Sequence, residues 1–399
     1  MTRTEIVEAA FKVWGRNFYR KTSLSQLAGE LGVSKPALYR HFENKQALTD
    51  AMTERFLDDF AASIRADFER ARQIDDADEG ILTIIRSVSG FFARNVYALI
   101  FSLINIYDRS LDGRAISQRL KTRGVDMATL KFIIEKKYNA EPPVIHMIFA
   151  TLTFFMAYFH KAEKSYEKPP SEEKIENMLS VICKIIEQGI GYSAEKIDAV
   201  DFEKQETRAG VPVDAEIEPL FKAVAEAVAE VGPWDTSMDM VAKRLGLSKS
   251  SLYGHFKNRK DMLRRLFSGE FRRIISFARQ GIALSDISEE RLYLGIFAIT
   301  VYFRSHPEFL ISLDWIRTRK LNLGKPEKDT NIFRLFEDVE LEPMGGSEDE
   351  KQRASHWILF LLINILTRQG RTVSAVDVQN NDIRVLYRFI TLGLGGFKR

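Results

Sequence analysis

The sequence predicts an all-α protein built from two tandem copies of one helical unit. Apolar residues recur at helical spacing almost throughout, and no convincing alternating strand interrupts them. The segment 22–44, TSLSQLAGELGVSKPALYRHFEN, returns without a gap at 236–258 as TSMDMVAKRLGLSKSSLYGHFKN. At 399 residues, the chain is also long enough for roughly two to four domains.

The first four predicted helices have recognisable ends. Thr2 and Glu5 have the spacing of a capping box before the first helix. Gly32 follows the last apolar residue of the second helix, where helices commonly end. Ser34 and Asn44 are placed to cap the third and fourth helices. Three short helices leading into a longer one, with a glycine in the turn between the second and third, predict a helix-turn-helix module.

The repeat is most faithful in a set of polar residues. Over the 27 aligned positions 22–48, twelve residues are identical at an offset of 214: Thr22, Ser23, Ala28, Leu31, Gly32, Ser34, Lys35, Leu38, Tyr39, His41, Phe42 and Asn44. Weaker matches continue at an offset of 210, and the last helices align as ICKIIEQGIGY (182–192) with LYRFITLGLGG (386–396). Amphipathicity alone can explain the weaker matches, but not the polar identities. The sequence therefore predicts duplication of a unit of about 200 residues.

Both copies carry the pattern T-S-x-x-x-[LMV]-A-x-x-[LG]-G-[VL]-S-K-x-x-L-Y-x-H-F-x-N-[KR], at 22–45 and 236–259. This pattern resembles the DNA-binding module of the TetR family of bacterial transcription regulators. The resemblance is specific over the modules, and over the remaining helices it rests on length and helical character. It implies two units, each with an N-terminal three-helix helix-turn-helix module followed by a helical bundle for regulation and dimerisation.

The repeat and the resemblance together divide the chain into five predicted segments. A charged stretch containing Gly210 and Pro212 marks the joint between the repeats. The segments are a first helix-turn-helix domain (1–50), a first regulatory and dimerisation domain (51–199), a linker (200–213), a second helix-turn-helix domain (214–265) and a second regulatory and dimerisation domain (266–399).

The residues of the module also suit DNA on chemical grounds. A recognition helix, here predicted from Ser34 to about His41, presents base-reading side chains at its N-terminal end and phosphate contacts at its flanks. The resemblance assigns phosphate contacts to Thr22, Tyr39, His41 and Lys45 and base contacts to Lys35, Pro36, Ala37 and Arg40. With the cap Ser34, these are the candidate DNA-binding residues of the first module; those of the second are Thr236, Ser248, Lys249, Ser250, Ser251, Tyr253, His255, Lys257 and Arg259. Helix capping by Thr22 and core packing by Tyr39 are the structural alternatives.

The two modules differ where a recognition helix would face bases. The substitutions are Pro36 to Ser250, Ala37 to Ser251, Arg40 to Gly254 and, at the flank, Lys45 to Arg259. Charge differs as well. Residues 236–273 hold ten Lys/Arg and three Asp/Glu, a net charge of +7, whereas residues 22–59 hold four and six, a net charge of −2. The sequence thus predicts one docking geometry with two readouts, and stronger phosphate attraction by the second module.

Fusion of two units implies an intramolecular pseudo-dimer. The resemblance implies that a single unit would dimerise through its last two helices. Here the predicted helices near 144–162 and 173–192 would pack against those near 353–369 and 381–394. We expect a chain that is monomeric and binds an imperfect palindrome in a double-stranded DNA operator, as a ligand-responsive repressor. The alternatives are a ligand-independent architectural DNA-binding protein and an obligate dimer of chains with four DNA-binding modules.

A small apolar or aromatic effector is expected by analogy with the family, in the helices after each module. The candidate ligand-binding residues are Phe101, Tyr107, His146, Phe303, Trp315 and His356. Aromatic residues at helical spacing are equally compatible with an ordinary hydrophobic core.

Other function classes find little support in the sequence. No catalytic motif, Gly-rich phosphate loop or metal-ligand spacing is present, so neither an enzyme nor a metal or cofactor is expected. His146, His160 and Cys183 could converge in space, but core or surface roles are favoured. The single cysteine and an N-terminus without a signal-like apolar run predict a cytoplasmic protein. The resemblance implies that the cell is bacterial and that the protein is nucleoid-associated. The uncharged segment 144–159 is too short for a membrane span and predicts a buried helix.

Overall fold

The computed structural model describes eleven segments of the chain: residues 2–17, 23–105, 113–139, 142–209, 218–233, 235–318, 334–336, 339, 341, 348–367 and 380–398. Within these segments the regular secondary structure is helical, and they contain no β-strand. The all-α prediction is therefore confirmed.

The helices fall before and after the segment 210–217, which lies outside the described residues. The twelve before it are α1 (Arg3–Asn17), α2 (Leu24–Glu30), α3 (Lys35–Tyr39), α4 (Lys45–Gln73), α5 (Ala77–Arg94), α6 (Val96–Asn105), α7 (Gly113–Lys121), α8 (Ala128–Lys137), α9 (Pro142–Ala162), α10 (Glu172–Gln188), α11 (Ala194–Asp198) and α12 (Phe202–Ala209). The eight described after it are α13 (Pro219–Val231), α14 (Met238–Arg244), α15 (Lys249–His255), α16 (Arg259–Ile282), α17 (Ser288–Ser305), α18 (Pro307–Thr318), α19 (Glu348–Leu366) and α20 (Asn380–Leu392).

The chain folds into two compact units. Unit 1 comprises Met1–Asn139 and Leu152–Cys183, and unit 2 comprises Ala140–Thr151 and Lys184–Lys398. Unit 2 thus contains the second repeat together with two parts of the first, residues 140–151 and its C-terminal end. The domain boundaries predicted above follow the sequence repeat and stay predictions.

Unit 1 has a core of phenylalanines between α4, α5 and α6. Phe56 stacks on Phe60, with ring centroids 5.7 Å apart, and lies 6.3 Å from Phe92. Phe101 of α6 joins this group at 5.8 Å from Phe56 and also meets Phe11 of α1 at 5.0 Å. The first helix of the module is therefore packed on the regulatory helices through aromatic contacts.

Unit 2 has a polar group at the equivalent place. At the offsets of the repeat, Phe56 corresponds to Glu270 and Phe92 to Tyr302. The Glu270 carboxylate is buried, accepts a hydrogen bond from the Tyr302 hydroxyl and forms an ion pair with Arg273. Burial raises the pKa of the Glu270 carboxyl to about 7, although Tyr302 and Arg273 act in the opposite direction.

Helix α12 occupies the first part of the segment predicted as a linker. Glu206 of this helix is buried, and its carboxylate accepts hydrogen bonds from Tyr293 Oη at 2.6 Å, Asn380 Nδ2 at 2.7 Å and Arg384 Nε at 2.7 Å. Phe202 packs against Tyr293, with ring centroids 4.8 Å apart. A buried carboxylate with several donors holds α12 onto α17 and α20, so residues 202–209 form a helix that is packed on unit 2.

The last helices of the two repeats make a close backbone approach within unit 2. Gly189 and Gly393 have positive φ angles of +60° and +58°, and a Cβ on either would lie 2.6 Å from the amide nitrogen of the other. The Ile190 amide donates to the Ile390 carbonyl at 2.8 Å. A Cβ only 2.6 Å from the opposite amide nitrogen would overlap with it. Glycine is therefore required at both positions, for this steric reason and because of the positive φ angles.

Among the described residues, one helix, Pro143–Ala162, is long and apolar enough to cross a membrane. Helices α5 and α6 would form a second such span only if the two, which are bent at their junction, were counted as one. Of the most apolar window of Pro143–Ala162, 67% is buried within the protein. The helix therefore fits the buried core helix predicted from the sequence.

We expect Glu270 to give unit 2 a pH-dependent stability. The folded protein keeps a proton on Glu270 up to about pH 7, whereas the ordinary carboxyl releases it near 4.5. Between these two values the folded state binds more protons than the unfolded state. The free energy of unfolding therefore falls by up to about 3 kcal/mol as the pH rises from the lower to the higher value. In denaturant unfolding between about pH 5 and about pH 7.5, the difference in unfolding free energy between wild type and Glu270→Gln should follow this fall.

The exposed Glu203→Gln serves as the matched control, because the same chemical change there should leave the pH profile unchanged. A difference curve for Glu270→Gln that is flat with pH would contradict the assigned titration.

Candidate nucleic-acid interface

The first helix-turn-helix module is formed by α1, α2 and α3. The Ser34 hydroxyl accepts from the Ala37 amide at 3.3 Å and caps α3, and the Asn44 side chain caps α4 at 2.9 Å. Gly32 has a φ of +64° in the turn between α2 and α3. These three predictions are confirmed. The N-cap of α2 is Ser23, whose side chain forms a capping box with Gln26.

The second module, formed by α13, α14 and α15, repeats this local geometry. Ser248 accepts from the Ser251 amide at 3.1 Å, and Asn258 caps α16 by accepting from the Asp261 amide at 3.0 Å. Gly246 has a φ of +66°. In both copies, therefore, the same turn and serine cap precede the recognition helix, and the same asparagine cap starts the helix after it. It is shorter in the first, Lys35–Tyr39, than in the second, Lys249–His255.

Exposure separates the structural residues of the modules from those available to a ligand. Leu38, Phe42, Leu252 and Phe256 are fully buried and hold the recognition helices on their modules. Tyr39 and Tyr253 are each 48% exposed, so neither is a core aromatic. The other exposed candidates are Ser34, Lys35, Pro36, Arg40 and His41 in the first module, where Ala37 and Lys45 are half-buried, and Ser248, Lys249, Ser250, Ser251, His255 and Lys257 in the second.

The structure disagrees with the assignment of Thr236 to DNA. Its side chain is 1% exposed, and its hydroxyl donates to the Gly232 carbonyl at 2.7 Å. Thr236 therefore stabilises the turn after α13 and offers no surface to a phosphate. Its counterpart Thr22 lies outside the described residues. Arg259 is half-buried, and its guanidinium donates to the Pro233 carbonyl, so part of its hydrogen-bonding capacity is used within the module.

Many cations of the second module are ion-paired. Arg244 pairs with Glu226 and Glu230 of α13, and Asp261 lies 3.1 Å from Arg264 and 3.4 Å from Arg265. Pairing lowers the charge that these side chains present to phosphates. Asp261 is already counted in the net charge of +7, but Glu226 and Glu230 lie outside residues 236–273, so the attraction of the second module for DNA is smaller than +7 indicates.

An ion pair at the head of the second recognition helix was missed by the sequence reasoning. Asp239 of α14 accepts a hydrogen bond from Lys249 Nζ at 2.9 Å, and this bond raises the pKa of the Lys249 ammonium. The equivalent of Asp239 in the first module is Ser25. The signal was present in the alignment, as the replacement of an uncharged serine by an aspartate at this position.

The candidate ligand-binding residues do not converge on one site. Phe101 and Phe303 are buried core residues, in unit 1 and unit 2 respectively. His146 and His356 are half-buried in unit 2. Tyr107 and the side chain of Trp315 lie outside the described residues.

A surface groove is present in unit 1, between α4, α5 and α10. It has a volume of about 310 Å³, and its lining includes Arg70, Arg86 and Arg94. Arg86 is ion-paired with Glu176 at 3.0 Å, and Arg94 with Glu172 at 2.5 Å. This polar lining differs from the apolar effector site that the sequence suggested.

Comparison with known proteins identifies the modules. Residues 6–52 and 220–266 each match the family described as bacterial regulatory proteins, tetR family. Both modules are therefore of the TetR type. The two matches confirm the predicted tandem arrangement of TetR-type modules, and they support a DNA-binding transcriptional regulator.

Individual relatives of this chain are distant. The HTH-type transcriptional repressor ComR of Escherichia coli (strain K12) is 28% identical over 144 residues, which are 35% of this chain and 68% of ComR. The TetR family transcriptional regulator PfmR from Thermus thermophilus aligns with 45% of this chain and 95% of its own at 21% identity and a TM-score of 0.35. A putative tetR family regulator from Shewanella sp. PV-4 aligns with 46% of this chain and 97% of its own at 17% identity and a TM-score of 0.31.

Tyr39→Phe and Tyr253→Phe should each weaken DNA binding by about fivefold, because a hydrogen bond to phosphate is worth about 1 kcal/mol. The loss should be similar for all DNA sequences, since phosphates carry no base information. Both hydroxyls belong to exposed rings, so the thermal transitions should not change. Fluorescence anisotropy with labelled duplexes measures the affinities.

Tyr166→Phe is the matched control, because it makes the same change in unit 1 outside the modules. Unaltered affinity in both module variants would remove the tyrosines from the interface.

Proposed function

We propose that this TetR-family regulator acts as an intramolecular pseudo-dimer, in which one chain supplies both DNA-binding modules for one operator. The observation that carries the proposal is the contact between Gly189 and Gly393. The repeat alignment places these two glycines at equivalent positions. In unit 2 each glycine faces the other. Contact of a residue with its own equivalent is the mark of an isologous, two-fold interface.

Further contacts in unit 2 join the ends of the two repeats. The Gly191 amide donates to the Thr391 carbonyl at 3.1 Å, and Arg388 pairs with Asp198 at 2.8 Å. Trp357 Nε1 of α19 donates to Thr151 Oγ1 of α9 at 3.1 Å, and Trp357 is fully buried. These contacts support the proposal that, in this chain, the helices that would join two separate chains pack against each other within one chain.

Fusion has a thermodynamic consequence for binding. A second module on the same chain has a high effective concentration, so the operator is bound without a prior association of two chains. Fusion also lets the two recognition helices diverge. The operator that we propose is therefore an imperfect palindrome with two unlike half-sites.

Repression by this chain is proposed from its relative, since the Escherichia coli protein is named a repressor. A small apolar or aromatic effector is proposed as the signal that releases DNA. A regulator acts where the chromosome is, so we also propose a cytoplasmic, nucleoid-associated location. Selection of binding sites from random DNA, followed by a reporter gene under the selected site, tests these points. Broad, salt-sensitive binding without a selected site would favour the architectural alternative.

The pseudo-dimer predicts a particle of one chain. Light scattering after size exclusion should give a mass near 45.8 kDa for the free protein. On a duplex with both half-sites, the complex should contain one chain per duplex. A free particle of two chains would contradict the pseudo-dimer and favour four modules per assembly.

Exchanging Pro36–Ala37 with Ser250–Ser251 should exchange the base preferences of the two half-sites. Each pair of residues directly follows the N-terminal lysine of its recognition helix. The exchange introduces two hydroxyls into the first module and two apolar side chains into the second. Binding-site selection with the variant measures the result. A loss of affinity for both half-sites, without a new base preference in either, would contradict base contact by these residues.

A further inference from the structure

One of the charged differences between the two DNA-binding modules lies beside the first residue of the recognition helix. Asp239 lies in the first turn of α14, and its carboxylate accepts from Lys249, the first residue of α15, at 2.9 Å. The first module has Ser25 and Lys35 at these positions. Among the described residues, Lys35 has no ion-pair partner. The second recognition helix therefore begins with a Lys–Asp pair and the first with a lysine alone.

The Lys249–Asp239 pair does little for the folded module. Both side chains are more than half exposed. Exposed ion pairs contribute about 0–1 kcal/mol to stability. A carboxylate at this place is also unfavourable near DNA phosphates, because it repels them. Stability and general DNA affinity thus both leave Asp239 unexplained.

Base recognition accounts for the pair. A lysine ammonium only donates hydrogen bonds, and an ionised aspartate only accepts them. In the major groove, a G·C pair presents two neighbouring acceptors, guanine N7 and O6, followed by one donor, cytosine N4. Lys249 can donate to the guanine acceptors while Asp239 accepts from the cytosine amine. In an A·T pair the adenine donor separates the two acceptors, so an adjacent ammonium reaches only one of them.

We propose that Asp239 is a specificity-determining residue, which together with Lys249 reads a G·C base pair in the second half-site. The first module lacks the carboxylate that would accept from cytosine, because Ser25 stands in its place. The inference rests on the proposed sequence-specific binding to two unlike half-sites, and it names the base pair that makes one half-site differ from the other.

Reciprocal exchange tests the inference. After site selection with the full-length protein, the selected G·C pair of the second half-site is replaced by A·T. The wild type should lose about tenfold or more in affinity, within the 1–3 kcal/mol of a specific base contact. Asp239→Ser should lose the part of this discrimination that the contact with cytosine N4 supplies, and Ser25→Asp should strengthen the G·C preference in the first half-site. Asp235→Ser, at a neighbouring exposed aspartate, is the control and should behave as the wild type.

Three outcomes would overturn the inference. Asp239→Ser could bind every sequence more tightly with unchanged base preference, which would make Asp239 a source of phosphate repulsion only. The wild type could prefer A·T at every position of the second half-site. The wild type could also select no sequence at all, and this result alone would contradict the proposed function as well. Unchanged thermal transitions establish that the variants are folded.

Discussion

The approach of Gly189 to Gly393 is the contact on which the arrangement at the ends of the two repeats depends. Positive φ angles and the short distance between the backbones allow no side chain at either position. A Cβ would separate the segments and break the hydrogen bond from Ile190 to Ile390. In the pseudo-dimer that we propose, two residues of the smallest size thus set how closely the paired helices can pack.

Fusion of two units removes a restriction that acts on homodimers. In a homodimer every substitution occurs twice and must suit both halves. In this chain, the aromatic contact of Phe56 and Phe92 in unit 1 corresponds to the hydrogen bond between Glu270 and Tyr302 in unit 2. The first arrangement is insensitive to pH, whereas the second contains a carboxyl that titrates near neutrality. Equivalent helices therefore carry different chemistry at the same place in the fold.

The charge of the second module illustrates the limit of a residue count. Its excess of basic residues indicated strong attraction to phosphates. The structure pairs Arg244 with two glutamates of α13 and Lys249 with Asp239. An ion-paired cation attracts phosphates less strongly, and its position is fixed relative to its partner. Local pairing, and not net charge, is the quantity that bears on how each module meets DNA.

The sequence by itself determined the all-α class, most helix ends and the two modules. Caps such as Ser34 and turn glycines such as Gly32 depend on interactions within three or four residues, so their spacing along the chain is sufficient. Only the tertiary structure decided the burial of Thr236 and the attachment of α12 through Glu206. Glu206 meets Arg384, a residue 178 positions away, and no local pattern specifies such a pair. Contacts of this kind form only once the helices have packed, which is why the fold and the modules were predictable and the partners of individual side chains were not.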